Sequence, residues 1–144
     1  MHKILSSASV SAITAHKALG KAANPKEGTK LLLWWILVAK FNLAATLWAM
    51  ESFDGHIRQK EVSASDISRQ TRHLLEMCTL TGEMWEYLTP VRVRNNSREV
   101  SRELMKLTES LLRLMSALGD KVEGVVADEI KIAIECLESY KMAA

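Results

Sequence analysis

Apolar side chains recur along this chain at three- and four-residue steps almost from end to end, the period of helices that pack on one face. Residues 3 to 23 place Leu5, Ala8, Ala12, Ala15, Leu19 and Ala22 on such a seam. Nearly all of it is small, which predicts a helix lying close to its neighbour and burying modest apolar area. Asn24, Pro25 and Glu27 read as N-cap, first helical residue and capping-box acid. They predict a second helix that starts there, runs to about Phe53 and stops at Gly55. Residues 56 to 64 read as a polar connection. Ser65 is placed to cap a third helix that ends before Pro90, with Ile67, Leu74, Met77, Cys78, Thr81, Met84, Trp85 and Leu88 inward. Gly82 either weakens that helix or marks a close crossing. Thr89 to Asn96 reads as a loop. The fourth helix, from about Ser97, has the cleanest stripe: Val100, Leu104, Leu107, Leu111, Leu114 and Leu118. Glu109 and Arg113 are spaced for an i,i+4 pair on its outer face. Gly119 is the predicted stop, with Asp120 and Glu123 capping a fifth helix. Its seam is Val122, Val126, Ile130, Ala133, Leu137 and Tyr140, broadened by Val125, Ile132 and Ile134.

Residues 31 to 50, LLLWWILVAKFNLAATLWAM, are the most apolar stretch, interrupted only by Lys40, Asn42 and Thr46. Trp34, Phe41 and Trp48 fall seven residues apart and stack along one side of a helix, with Leu37, Ala44 and Ala45 beside them. Lys40, Leu47, Glu51, Asp54 and Arg58 share another edge. A helix apolar nearly all round belongs inside a protein or a bilayer. A bilayer span needs about 20 apolar residues, which the length permits. Against it, Lys40 near the middle costs about 3 kcal/mol on insertion scales. The two tryptophans lie only about 21 Å apart, short for an aromatic belt. The expectation is therefore a long apolar central helix whose aromatic stripe is covered by protein.

Short connections between amphipathic helices predict an all-α, up-and-down bundle of about five helices, with residues 1–144 as one domain. Five helices leave one poorly covered, and symmetric dimers are common, so a homodimer is expected. Composition agrees: 48% hydrophobic and 25% charged residues, six Gly and two Pro exclude a disordered chain.

The net charge of +2 gives no reason to expect a nucleic-acid partner. Its distribution is uneven. Residues 1 to 30 hold five lysines and one glutamate, and residues 119 to 144 hold three lysines and six acids. Those ends could attract each other, in the fold or between copies. Residues 1 to 26 carry no acid and several serines, a composition shared with organellar presequences but without arginine. We read them as a structural helix. Cys78 and Cys136 belong to no CxxC pair and each sits in an amphipathic pattern, so both are expected as buried free thiols in a reducing, cytoplasmic setting.

No catalytic constellation stands out. Di-metal bundles need inward Glu-x-x-His pairs, and the chain has none, so no metal or cofactor is expected. Glu83-x-x-Glu86 and Glu51-x-x-Asp54 weakly resemble the acidic pairs of all-α nucleotide pyrophosphohydrolases. Their order differs from that family's and a second matching pair is missing, so exposed helix faces explain them. His16 in HKALGKA is similar to the phosphorylatable histidine of phosphotransfer bundles, but its spacing to Leu19 and Gly20 departs from that pattern. A surface histidine is the reading taken. No phosphate loop or nucleophile elbow occurs, and no small-molecule substrate is evident. The arginines at 92, 94, 98 and 102 are the best anion-contact candidates, partly neutralised by Glu99 and Glu103.

The function expected is therefore that of a non-enzymatic helical interaction protein: an adaptor, small chaperone, immunity factor or assembly subunit. Trp34, Trp35, Phe41 and Trp48 are the candidate apolar anchor, and Arg92, Arg94 and Arg98 the candidate charged contacts. The alternative is a membrane-associated helical protein that inserts residues 31 to 50 into lipid.

Overall fold

In the computed structural model, which describes residues 2–59, 64–95 and 97–143, five helices follow one another. They are α1 (His2–Ala23), α2 (Leu32–Gln59), α3 (Ala64–Val93), α4 (Arg98–Gly119) and α5 (Gly124–Ala143). Side chains are described for all but a few residues at the ends of α1, α2, α3 and α5. α1 packs against α2 and α3, and α4 against α2, α3 and α5. Four helices thus form a ring in the order α1, α2, α4, α3. α5 lies outside it, against α3 and α4. The step from α2 to α3 crosses the diagonal of the ring.

The seam of α1 is buried throughout, each of its six members at 0% exposure. Alanine at most of these positions brings the backbones of α2 and α3 close on two sides. Thr46 of α2 marks that closeness: its hydroxyl lies 3.4 Å from the Ala8 carbonyl oxygen and donates to Asn42 O at 2.8 Å. The stripe of α4 from Val100 to Leu118 is likewise buried. Ser97 caps that helix, its Oγ accepting from Val100 N–H at 3.2 Å.

Several expected boundaries differ. Asn24 does not start α2. Its Oδ1 accepts from Lys26 N–H at 3.0 Å, and Glu27 N–H donates to the Asn24 carbonyl at 3.1 Å. The segment is therefore an Asx turn closing off α1. After extended Gly28, one 3₁₀ turn (Thr29–Leu31) leads into α2. α2 continues through Gly55 to Gln59, and α3 begins at Ala64, so Ser65 is helical rather than a cap. Of the expected polar connection, residues 60–63 lie outside the described residues, as does the side chain of Ile67.

α3 also passes through Pro90 into what reads as a loop. A proline inside a helix costs about 3 kcal/mol. Leu88 and Val91 on either side are fully buried, and their packing holds the helix together. Asp120 closes α4, its N–H donating to Ser116 O at 3.2 Å, and α5 starts at Gly124 with φ +66. Gly119 allows the approach of α5: a Cβ there would meet Ile130 at 3.3 Å.

Candidate functional site

The aromatic stripe of α2 faces outward. Trp34, Phe41 and Trp48 are 57%, 65% and 70% exposed, which overturns the expectation that they are core. The reason is the width of the helix's apolar surface. Leu32, Ile36, Ala39, Leu43 and Met50 occupy the side between α1 and α4 and are buried there. Trp34, Phe41 and Trp48 lie on the opposite side. Ala44 and Ala45 are exposed among the rings, and Leu37 and Val38 are half-buried along their edges. The ridge extends about 21 Å along the helix.

Lys40 borders this ridge. Its Nζ lies 2.5 Å from Glu103 Oε2 on α4 and 5.1 Å from the centre of the Phe41 ring. The lysine hydrogen bond holds the Glu103 carboxyl below its ordinary pKa, outweighing the upward push of partial burial; Lys106, 3.6 Å away, adds to the lowering. Lys40 therefore faces α4, and the outward face carries no charge between Lys30 and Glu51.

The remaining candidates are not gathered there. Trp35 is half-buried and packs against the core, with Lys21 Nζ 5.3 Å from its ring centre. Arg92 holds α5: Nη2 donates to the Tyr140 carbonyl at 3.0 Å, and its guanidinium stacks 3.6 Å above the Tyr140 ring. Tyr140 Oη donates in turn to Leu88 O at 3.2 Å, and burial raises its pKa against the opposing effect of Arg92. Arg94 closes the end of α1, donating to Ala22 O at 2.6 Å and to Glu27 O. Both arginines, expected to complement a partner's charge, are engaged inside the fold. Arg98 is exposed at the first residue of α4. It stands five residues before Glu103, about 140° around the helix, and so points away from α2.

Other surfaces offer less. A groove of about 490 Å³ opens among α3, α4 and α5, with Met115, Ile130 and Ala133 at its apolar floor and Glu83, Glu86 and Glu129 at its edge. Gly82 lines it, and a Cβ there would touch nothing within 4 Å, so that glycine marks the groove and not a helix crossing. His16 of α1 places its Nε2 2.6 Å from Glu83 Oε2 on α3. Glu109 lies 3.3 Å from Lys141 of α5. Val125 and Ile132, expected to widen the α5 seam, are exposed. Cys78 is buried with its pKa raised to about 11, whereas Cys136 is exposed, contrary to expectation; both are free thiols. Among the described residues, no three of His, Cys, Asp and Glu converge as metal ligands.

The chain matches no family model, no curated protein and no solved structure with which it was compared. Solvent exposure of the aromatic ridge was within reach of the sequence: the seven-residue spacing puts the rings opposite Leu32, Ile36 and Leu43. The inward side is the one packed between α1 and α4.

Proposed function

We propose that this chain is a non-enzymatic helical interaction protein, of the adaptor, small-chaperone, immunity-factor or assembly-subunit kind, that buries the outward face of α2 against a second protein chain. One observation carries this: three large aromatic rings stand in line, each more than half exposed, on a helix whose other side is packed. Covering such side chains is worth about 1.5–3 kcal/mol each when burial is complete. Tryptophans on a rigid element are also the usual anchors of an interface. Trp34, Phe41 and Trp48 form the anchor, Trp35 sets the helix against α1, and Arg98 offers a separate charged contact on α4. Phe41→Asp tests the reading. It should abolish binding of an apolar dye by the dilute, dissociated chain and lower the solution mass of the concentrated one, while the helical circular dichroism stays unchanged. A parent chain that is monomeric and binds no dye would contradict it.

A second reading has its own support. Thr29–Phe53 is 25 residues long and apolar enough to cross a membrane by length and composition. Lys40, the charge that argued against lipid, is turned toward Glu103. In this reading the ridge lies in the plane of a bilayer surface. Co-sedimentation with liposomes should then occur and be lost in Trp48→Asp. A parent chain that stays in the supernatant removes this reading.

A further inference from the structure

We infer that the partner seated on α2 is a second copy of this chain, docked antiparallel about a two-fold axis at Phe41. This rests on the reading of α2 as an interaction face. The ridge is a palindrome. Trp34 and Trp48 are equally far from Phe41 in opposite directions, so a two-fold axis there sets Trp34 of each copy against Trp48 of the other. The same operation sets half-buried Leu37 against exposed Ala45 and half-buried Val38 against exposed Ala44. Each bulky aliphatic side chain thus meets a methyl group, the alternation two interlocking helices need.

The charges at the two ends agree. Lys30 is exposed at the amino-terminal end of the ridge and Glu51 at its carboxy-terminal end. Antiparallel docking brings each lysine within a turn of the other copy's glutamate, twice over, and also opposes the helix dipoles. Parallel docking would place lysine beside lysine and glutamate beside glutamate. The area falls at the low end for a dimer, which fits one that dissociates on dilution. Large aromatic side chains bury about 150–250 Å² each when covered. The exposed parts of three such rings, with the alanines and aliphatic edges between them, approach the roughly 600 Å² per partner of the smallest stable interfaces.

The test is oxidative cross-linking of single-cysteine variants of the full chain in a Cys136→Ser background, where the remaining native thiol, Cys78, is buried. Trp34→Cys and Trp48→Cys should each cross-link poorly alone and at least ten-fold better when mixed. Phe41→Cys should link to itself, since the axis places the two positions together. The mixed pair retains the Phe41 ring and so tests the same geometry without weakening its centre. Trp34→Cys and Trp48→Cys linking as well alone as together would mean parallel or random contact and overturn the proposal. So would a parent chain of single-chain mass at every concentration. If that monomer binds apolar dye and Phe41→Asp abolishes the binding, the ridge remains a recognition face for another partner. If it binds none, the reading of α2 as an interaction face falls as well. A monomer that sediments with liposomes gives the ridge to lipid and also overturns the second-copy assignment.

Discussion

α1 buries a side made mostly of alanine, with two leucines and Ser9, whereas α2 carries tryptophan and phenylalanine on the side it leaves in water. By side-chain hydrophobicity the roles should be reversed, since a tryptophan gains far more than an alanine from leaving solvent. The difference is geometric. Alanines let α2 and α3 approach α1 from two directions, so α1 is covered twice. α2 packs on α1 and α4, which together cover one side of the helix, and among the described residues its three rings stay more than half exposed. Apolar content therefore measures what a helix gains from being covered, and residue size decides where its neighbours stand. An α2 apolar on both sides has one surface for its own bundle and one left for something else.

The largest contrast should appear within α2 itself. Leu43→Ala empties a fully buried position and should cost about 2–5 kcal/mol of unfolding free energy. Phe41→Ala, two residues away on the outward face, should change the stability of the dilute monomer by less than about 0.5 kcal/mol. Urea unfolding monitored by circular dichroism measures both, and equal losses would mean that the two faces are not distinct. Next in size is the small seam of α1. Ala12→Leu overfills it and should cost about 1–3 kcal/mol, whereas Val10→Leu on the exposed side of the same helix should cost almost nothing. A tolerated Ala12→Leu would show that close approach is not what places α1 between α2 and α3.

The smallest effect concerns the pair that orients the edge of the ridge. Lys40→Met should cost about 1 kcal/mol or less near neutral pH. The folded Glu103 carboxyl titrates below its ordinary value of 4.5. Its stabilising contribution is therefore present above that value and lost as pH falls through the lower folded one. Stability of the parent should drop across that acid window, and Lys40→Met should flatten the drop. An unchanged acid limb would show that the pair contributes nothing to holding α2 on α4.

The helices and their seams were legible because buried apolar positions repeat with the helical period: every seam residue of α1 and α4 is buried, with Ser9 and Ala18 added on α1 and Thr108 and Met115 on α4. The ends were less legible. Asn24-Pro25 has the chemistry of a helix start, but Arg94, distant in sequence, binds the carbonyls of Ala22 and Glu27 and fixes the segment as a turn. Pro90 reads as a break, yet the packing of Leu88 and Val91 carries α3 through it. The four aromatic candidates were visible as a group, and periodicity already separates Trp35 from the other three. Arg92 and Arg94 looked like surface charge because the carbonyls they bind belong to α5, to the end of α1 and to the turn after it, partners that local sequence does not reveal.

The solution mass of the full chain, followed by light scattering through a dilution series, bears most directly on whether the ridge of Trp34, Phe41 and Trp48 is closed by another chain. The parent should have twice the 16.1 kDa mass at high concentration and dissociate on dilution, binding apolar dye as it does, while Phe41→Asp stays at single-chain mass throughout with unchanged helicity. A parent at single-chain mass throughout, with no dye bound, would contradict it.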